Sequence, residues 1–302
     1  MPVSAMSRQI VIVSNDNRSG RDSAADWIVP MDRIAQSGEV ASVAFRSMTF
    51  VNHFTNITLY NNRFAFRWNG TVYMTEIAPG QYDQSNLFTA LASVMVGAAL
   101  LNPVQITGAT VTRDALTHSV RINALHGATP PTGFSLLPAD WITANPTFPI
   151  TPIASNSSTG ITPTGSINEL LGASPLASGG EYVGGNTGGA FSVTLSNGAL
   201  NLAGPMLVYL CCDGLGIDRT IRTGDMYPVN RLASVPLPNF GDSVTMSIPD
   251  THLTWTPIRT ARDLGYLRFY FQDRRGTPLS LPTNTPVIVE FELHNKGAQN
   301  FG

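Results

Sequence analysis

The sequence predicts an all-β fold, a sandwich or jelly roll carrying one helix. Three observations lead there. Strand-period alternation recurs along the chain, Gly and Pro together make up 48 of 302 residues, and only one segment has helical periodicity. A lone helix among roughly eight to ten strands argues against alternating βαβ units.

Taken in order, Ile10 to Val13 and Trp27 to Ile34 read as short strands, and Val40 to Phe50 and Asn56 to Tyr60 as further ones. Arg63 to Trp68 and Thr71 to Ile77 flank Asn69-Gly70, the dipeptide a type I′ turn favours because both central residues need positive φ. A two-residue turn fixes the register. Trp68 then faces Thr71, Phe66 faces Tyr73 and Phe64 faces Thr75. Arg63 faces Glu76, and the two can pair on the side opposite the aromatic residues. The helix follows, capped by Ser85 or Asp83. Leu87, Leu91, Val94, Met95 and Ala98 fall at helical spacing, and Pro103 lies beyond the end. Met206 to Cys212 is a continuous apolar run, the mark of a strand covered on both faces. Leu267, Phe269 and Phe271 alternate with Tyr266, Arg268 and Tyr270. Val287, Val289, Phe291 and Leu293 alternate with Glu290 and Glu292. These last two strands are joined by Asp273-Arg-Arg-Gly276 and a proline-rich connection.

Charge is scarce and uneven. Charged residues are 13% of the chain, about half the usual share, with Lys296 the single lysine beside seventeen arginines. From Ile122 to Asp218 there is no Arg or Lys, while residues 1–121 and 219–302 carry nine basic residues each. A net charge of −2 gives no field to attract nucleic acid or an anionic membrane, and no specific nucleic-acid site is evident. The most apolar run, Leu91 to Leu101, is too short to span a bilayer, so no membrane insertion is expected. Within the neutral middle, Thr129 to Gly165 is rich in Pro, Thr and Ser and Gly179 to Gly189 in Gly. Both read as loops and not as a second compact domain.

Little in the chain points to catalysis. His53, His118, His126, His252 and His294 are isolated, with no H-x-H or H-E-x-x-H to place two imidazoles on one metal. There is no G-x-S-x-G elbow. The Gly179–Gly189 stretch lacks the Lys and Ser/Thr of a phosphate-binding loop. Cys211 and Cys212, neighbours on an apolar strand, point to opposite faces and read as buried thiols. Asn15, Asn17, Ser19, Gly20 and Asp26 approach calcium-loop spacing but lack the terminal Glu and the flanking helices. Asn56, Asn69 and Asn156 open glycosylation-like tripeptides that read as chance without a secretory signal. The expectation is a chain that is not an enzyme and takes no cofactor and no metal.

Ordered motifs supply a resemblance. They are Ile77-Ala-Pro-Gly80-x-Tyr82 before the helix, Ile167-Asn-Glu-Leu-Leu-Gly172, Leu207-Val-Tyr-Leu-Cys-Cys-Asp213, and Leu267-Arg-Phe-Tyr-Phe-Gln-Asp273-Arg-Arg-Gly276-x-Pro278-Leu279 with Val287 to Leu293. In this order, over residues ~40 to 293, the chain resembles the penton, or vertex capsid, proteins of virophages and polinton-like viruses of the mavirus type. The resemblance does not extend to the Pro/Thr-rich stretch at 129–165. It implies a single jelly roll of viral capsid type. Five copies would close a ring at each icosahedral vertex of a DNA virus or virophage, surrounded by a major capsid protein with a double jelly roll. The location implied is the virion, with assembly inside the host cell.

The expected organisation is an N-terminal arm at 1–24, then a single jelly-roll domain at 25–302 with one short helix and a loop-rich insertion at about 127–200. In the arm, Ile10 and Val11, followed by Arg18 and Arg21, are the expected partner-contact residues, adding a strand to a neighbouring sheet. The rival expectation is a β-sandwich carbohydrate- or receptor-binding module of lectin or fibre-head type. Trp68, Trp141 and Trp255 are then the residues available to line a sugar site.

Overall fold

A computed structural model describes residues 7–13, 26–30, 40–100, 102–151, 160–176, 180–195, 199–213, 231–249, 252–253, 255–257, 266–282 and 285–295. The chain divides into two compact units. The first comprises Met1–Phe54 and Pro205–Gly302, and the second, Thr55–Gly204, is inserted within it. The stretch from 127 to 200, read from sequence as loops, lies inside the second unit with the hairpin and helix that precede it. The strands of that stretch are short and separated by Gly-, Pro- and Thr-rich segments.

The first unit opens with β1 (Ser7–Val13), β2 (Asp26–Pro30) and β3 (Val40–Val51). The inserted unit contributes β4 (Arg63–Trp68), β5 (Thr71–Glu76), α1 (Gln84–Ala98), β6 (Ile106–Arg113), β7 (Val120–His126), β8 (Phe134–Leu136), α2 (Ala139–Ala144), α3 (Ile167–Leu170), β9 (Tyr182–Val183), β10 (Gly185–Asn186) and β11 (Ala190–Leu195). The first unit resumes with β12 (Leu207–Asp213), β13 (Arg231–Pro236), β14 (Ser243–Ser247), β15 (Trp255–Pro257), β16 (Tyr266–Gln272), β17 (Pro278–Leu279) and β18 (Val287–Asn295).

Every strand pair of the first unit is antiparallel. One sheet runs β1-β18-β3-β14, with β15 also on β3; the other runs β13-β12-β16-β17, with β2 also on β16. The β14 and β15 pieces extend one edge, since they pair with the two halves of β3. Similarly, β2 and β17 pair with the two halves of β16. Counting eight strand positions along the chain, the orders are 1-8-3-6 and 2-7-4-5. That is the jelly-roll winding of two Greek keys. The inner faces meet in one core: Phe45, Met48, Phe50, Val287, Val289 and Phe291 from one sheet face Val208, Leu210, Cys212, Phe269 and Phe271 from the other. Phe50 and Phe271 lie 5.4 Å apart between ring centroids, and Phe269 and Phe291 4.9 Å. The spacing of Phe45 and Met48 breaks strict alternation. A bulge at Arg46, between the pairs Phe45–Phe291 and Ser47–Glu290, returns Phe45 to the inner face. It also brings Arg46 Nη1 to 2.6 Å from Glu292 Oε2 on the outer face.

The inserted unit has two further antiparallel sheets, β10-β11-β7-β6 and β5-β4-β8-β9. Phe64, Phe66 and Trp68 share one face of β4, as the alternation predicts, and pack with Phe134, Ile122, Val193 and the Leu87–Leu91–Met95 stripe of α1. The opposite face of β4–β5 is also covered, by Leu137, Ile142 and Ile150 packed on Ala65 and Met74. The hairpin register is as expected, from Trp68–Thr71 to Arg63–Glu76. Asn69 and Gly70 both have positive φ, 48° and 77°. Of the two expected caps, Asp83 serves α1, accepting from the Asn86 N–H at 2.7 Å.

Other expectations shift. Asn56 to Tyr60 is a turn with a single bridge, Ile57–Gly80, and not a strand. The Asn56 side chain causes this: its amide donates to the carbonyls of Tyr82 and Leu202, and its oxygen accepts from the Tyr82 N–H at 2.9 Å. Those bonds fold the chain back on the Pro-Gly turn. The second predicted strand keeps its first part as β2, while residues 31–34 lie outside the described residues. Two short helices, α2 and α3, join the expected one.

Candidate functional site

The expected contact segment is only partly described. Ile10 pairs with Phe291 and Val11 with Glu290, both of the same chain, so β1 completes its own sheet at an edge position. Arg18 and Arg21 lie outside the described residues, as do Asn15, Asn17, Ser19 and Gly20. Ile10 and Val11 therefore sit in a seven-residue antiparallel ladder. The physical reason is the alternation of Val287 to Leu293, which makes β18 a central strand needing partners on both sides.

No group of three His, Cys, Asp or Glu suited to a metal occurs among the described residues. His53 Nδ1 lies 2.8 Å from Thr285 Oγ1 and its ring packs on Phe240. His126 Nδ1 lies 2.8 Å from the Gly127 carbonyl oxygen. Cys211 and Cys212 are buried thiols. Cys212 faces the jelly-roll core, and the Cys211 thiol lies 3.5 Å from Gln272 Oε1. Among the described residues no helix is long and apolar enough to cross a membrane. Trp68 is fully buried and its Nε1 donates to the Val104 carbonyl at 2.6 Å. Trp141 packs on Phe148, and the Trp255 side chain lies outside the described residues. Trp68 is therefore closed to a ligand, while Trp141 and Phe148 are both partly buried.

Two ion pairs brace the inserted unit. Arg63 and Glu76 are both 1% exposed, with Nε and Oε1 4.0 Å apart. The Arg63 guanidinium also donates to the carbonyls of Pro146 at 2.7 Å and Ile161 at 2.8 Å. Burial lowers the Arg63 pKa, and Glu76 opposes that shift. Arg67 grips Glu181 through two nitrogens, Nη2 to Oε1 at 2.6 Å and Nε at 3.1 Å, and Ser135 Oγ donates to the same carboxylate. The hydrogen bonds from Arg67 hold the Glu181 carboxyl below its ordinary range, and Glu181 raises Arg67. This pair ties the Gly-rich stretch to β4 and β8. Sequence reading had found Arg63 and Glu76 but missed Arg67–Glu181, because nothing local links residues 114 apart. It also missed Asn168, fully buried on α3. The Asn168 amide donates to the Ala65 and Leu137 carbonyls at 2.8 and 2.6 Å, and its oxygen accepts from the Ala65 N–H. Its presence inside the Ile167-to-Gly172 motif was the available signal.

The arrangement is one of internal braces, and the charge follows it. Of the chain's 18 basic and 20 acidic residues, four and six fall in Thr55–Gly204. Four of those ten are spent in the two ion pairs, Asp83 caps α1, and Asp114 holds a turn by accepting from Thr117 and Leu116. Those turn bonds, Thr117 first, lower the Asp114 pKa.

Comparison with solved structures finds several likenesses. The selenomethionine-labelled mavirus penton protein aligns with 97% of this chain and 100% of its own, at a TM-score of 0.41 and 10% identity. That score is too low to establish a common fold across the chain, so the strand order alone defines the jelly roll. No family model matches the sequence. No curated protein matches it either.

Proposed function

We propose that this chain is a structural capsid protein, a penton subunit that assembles as a homopentamer at the icosahedral vertices of a DNA virus or virophage. The observation that carries the reading is the 1-8-3-6 and 2-7-4-5 strand order of the first unit, a winding common in capsid subunits. The ordered motifs support it, as does the shortage of charge on the inserted unit. An interface core is depleted of charged groups because burying them costs desolvation energy.

The mechanism is assembly. Identical subunits meet head to tail, and a rotation that closes gives a ring. The jelly roll supplies rigidity. Its β1 edge, carrying Ile10 and Val11, pairs on one side with β18 and presents its other backbone edge to a neighbouring strand. Arg18 and Arg21, just beyond β1, are proposed to pair with acids of that neighbour. The partners are further copies of this chain and a double jelly-roll major capsid protein, and the location is the capsid vertex.

Purified protein tests this through mass photometry and negative-stain images of symmetry. A five-membered ring is the expected result. A monomer at every concentration, or a two-fold dimer, overturns the reading.

A further inference from the structure

The outward face of β6, β7 and β11 is a grid of small polar side chains. Across the three strands the register aligns Thr112–Arg121–Thr194, then Thr110–Asn123–Ser192, then Gly108–Leu125–Ala190. The alternate positions, Val111, Ile122, Val193, Ala124 and Phe191, fill the core below. A solvated protein surface ordinarily mixes charges of both signs. Here Arg121 is the one charged group on the grid, and no acid of the inserted unit lies on these three strands.

Hydrogen bonds pre-order this face. Arg121 Nε donates to Ser192 Oγ at 2.7 Å, which lays the guanidinium along the sheet. Asn123 Nδ2 donates to Thr110 Oγ1 at 3.0 Å. Leu125 lies over Gly108, where a Cβ would come within 3.1 Å of Leu125 Cδ1. Leu125 is 40% exposed there and makes an apolar corner with Ala190. Arg121 has no carboxylate within ion-pair distance among the described residues.

We propose that this face binds a carboxylate-bearing oligosaccharide. An unopposed guanidinium in neutral surroundings is complementary to an anion, and its planar fork matches a carboxylate. The Thr, Ser and Asn groups offer donors and acceptors at the strand spacing of about 4.8 Å, suited to sugar hydroxyls. The Gly108–Leu125–Ala190 corner takes an apolar ring face or an acetyl methyl. Arg121 and Leu125 stand four residues apart on one strand, about 13 Å, so the fitting ligand is a short oligosaccharide and not one sugar. A phosphate or sulfate would meet the cation but leave the hydroxyl grid unused. This inference rests on the inserted unit alone and not on ring formation.

Titration of the full chain with 3′-sialyllactose and with lactose, followed by calorimetry and amide NMR, tests it. The expected result is a sialyllactose Kd on the order of 1 mM or tighter, with lactose at least about tenfold weaker. Arg121→Gln should remove that preference, and Asn123→Leu should weaken binding to both sugars. Both variants change exposed or half-exposed positions, and an unchanged melting temperature verifies their fold. Equal affinity for the two sugars, no binding at millimolar concentration, or an Arg121→Gln variant that binds as before overturns the proposal. So does self-association that Leu125→Glu abolishes while no sugar binds, which assigns the face to a second copy. A monomer that binds sialyllactose overturns the ring and keeps this site; a ring that does not bind overturns this site and keeps the ring.

Discussion

Arg67 and Glu181 show how one pair stabilises an otherwise weakly held segment. Two-nitrogen contact and the Ser135 bond make the pair stronger than an ordinary surface bridge, and its partial exposure limits the gain to about 1 kcal/mol. The folded Glu181 pKa is depressed, so its contribution is fully present above the unfolded carboxylate value, about 4.3, and is lost as pH falls through the lower folded value. Glu181→Gln should therefore be less stable than the parent at pH 7. The difference should close as pH drops below about 4. Urea melts of both proteins across that range measure it, and a difference that widens in acid refutes the assignment. Arg63 and Glu76 make a contrasting case. Both are buried, so loss of either strands a charge, at a cost of about 3–5 kcal/mol. Their pairing was legible because the Asn-Gly turn fixes which residues stand opposite. That the two would be buried was not legible, because the covering residues Pro146 and Ile161 come from a stretch that reads as loop.

Among the elements, the hairpin and α1 were the most readable, since turn chemistry and helical spacing are local signals. The strands β6 and β7 were overlooked although Val120, Ile122 and Ala124 alternate with Arg121, Asn123 and Leu125. The β6 pattern is interrupted by Gly108 and a register shift beside it, and the outward Leu125 blurs the alternation of β7. Asn56 to Tyr60 shows the opposite failure, β-favouring residues overruled by one side chain's hydrogen bonds. Two glycines separate backbone strain from mere space, because a Cβ at either meets nothing within 4 Å. Gly70 has φ +77°, so Gly70→Ala should cost about 1–2 kcal/mol. Gly97 lies in α1, and Gly97→Ala should add about 0.5–1 kcal/mol. Thermal melts of the two variants should move in opposite directions; shifts of the same sign contradict the role given to the turn.

For the whole molecule, the shortage of charge covers both the inserted unit, with ten charged residues, and the stretch from Ile122 to Asp218, with five. Arg63, Arg67, Arg113 and Arg121 are the unit's basic residues, and two of them are neutralised by ion pairs. All four of these arginines precede Ile122, so in a linear count they look like part of a charged flank. The inserted unit also has its own core, complete without any residue of the jelly roll. Residues 55–204 expressed alone should therefore melt cooperatively and give dispersed amide NMR signals. A non-cooperative melt of that fragment contradicts the division into units.

The strand order also dictates a sequence of events during synthesis. None of β1, β2 and β3 pairs with another of the three; their partners are β14, β15, β16 and β18, all made after the insertion. The inserted unit closes on contiguous chain and is finished while the first three strands still wait. β3 joins two edges that arrive last, and β1 has no ladder until β18 emerges. The jelly roll is thus the final part to form, so a chain that ends before residue 287 carries a finished inserted unit beside a sheet that lacks its central strand.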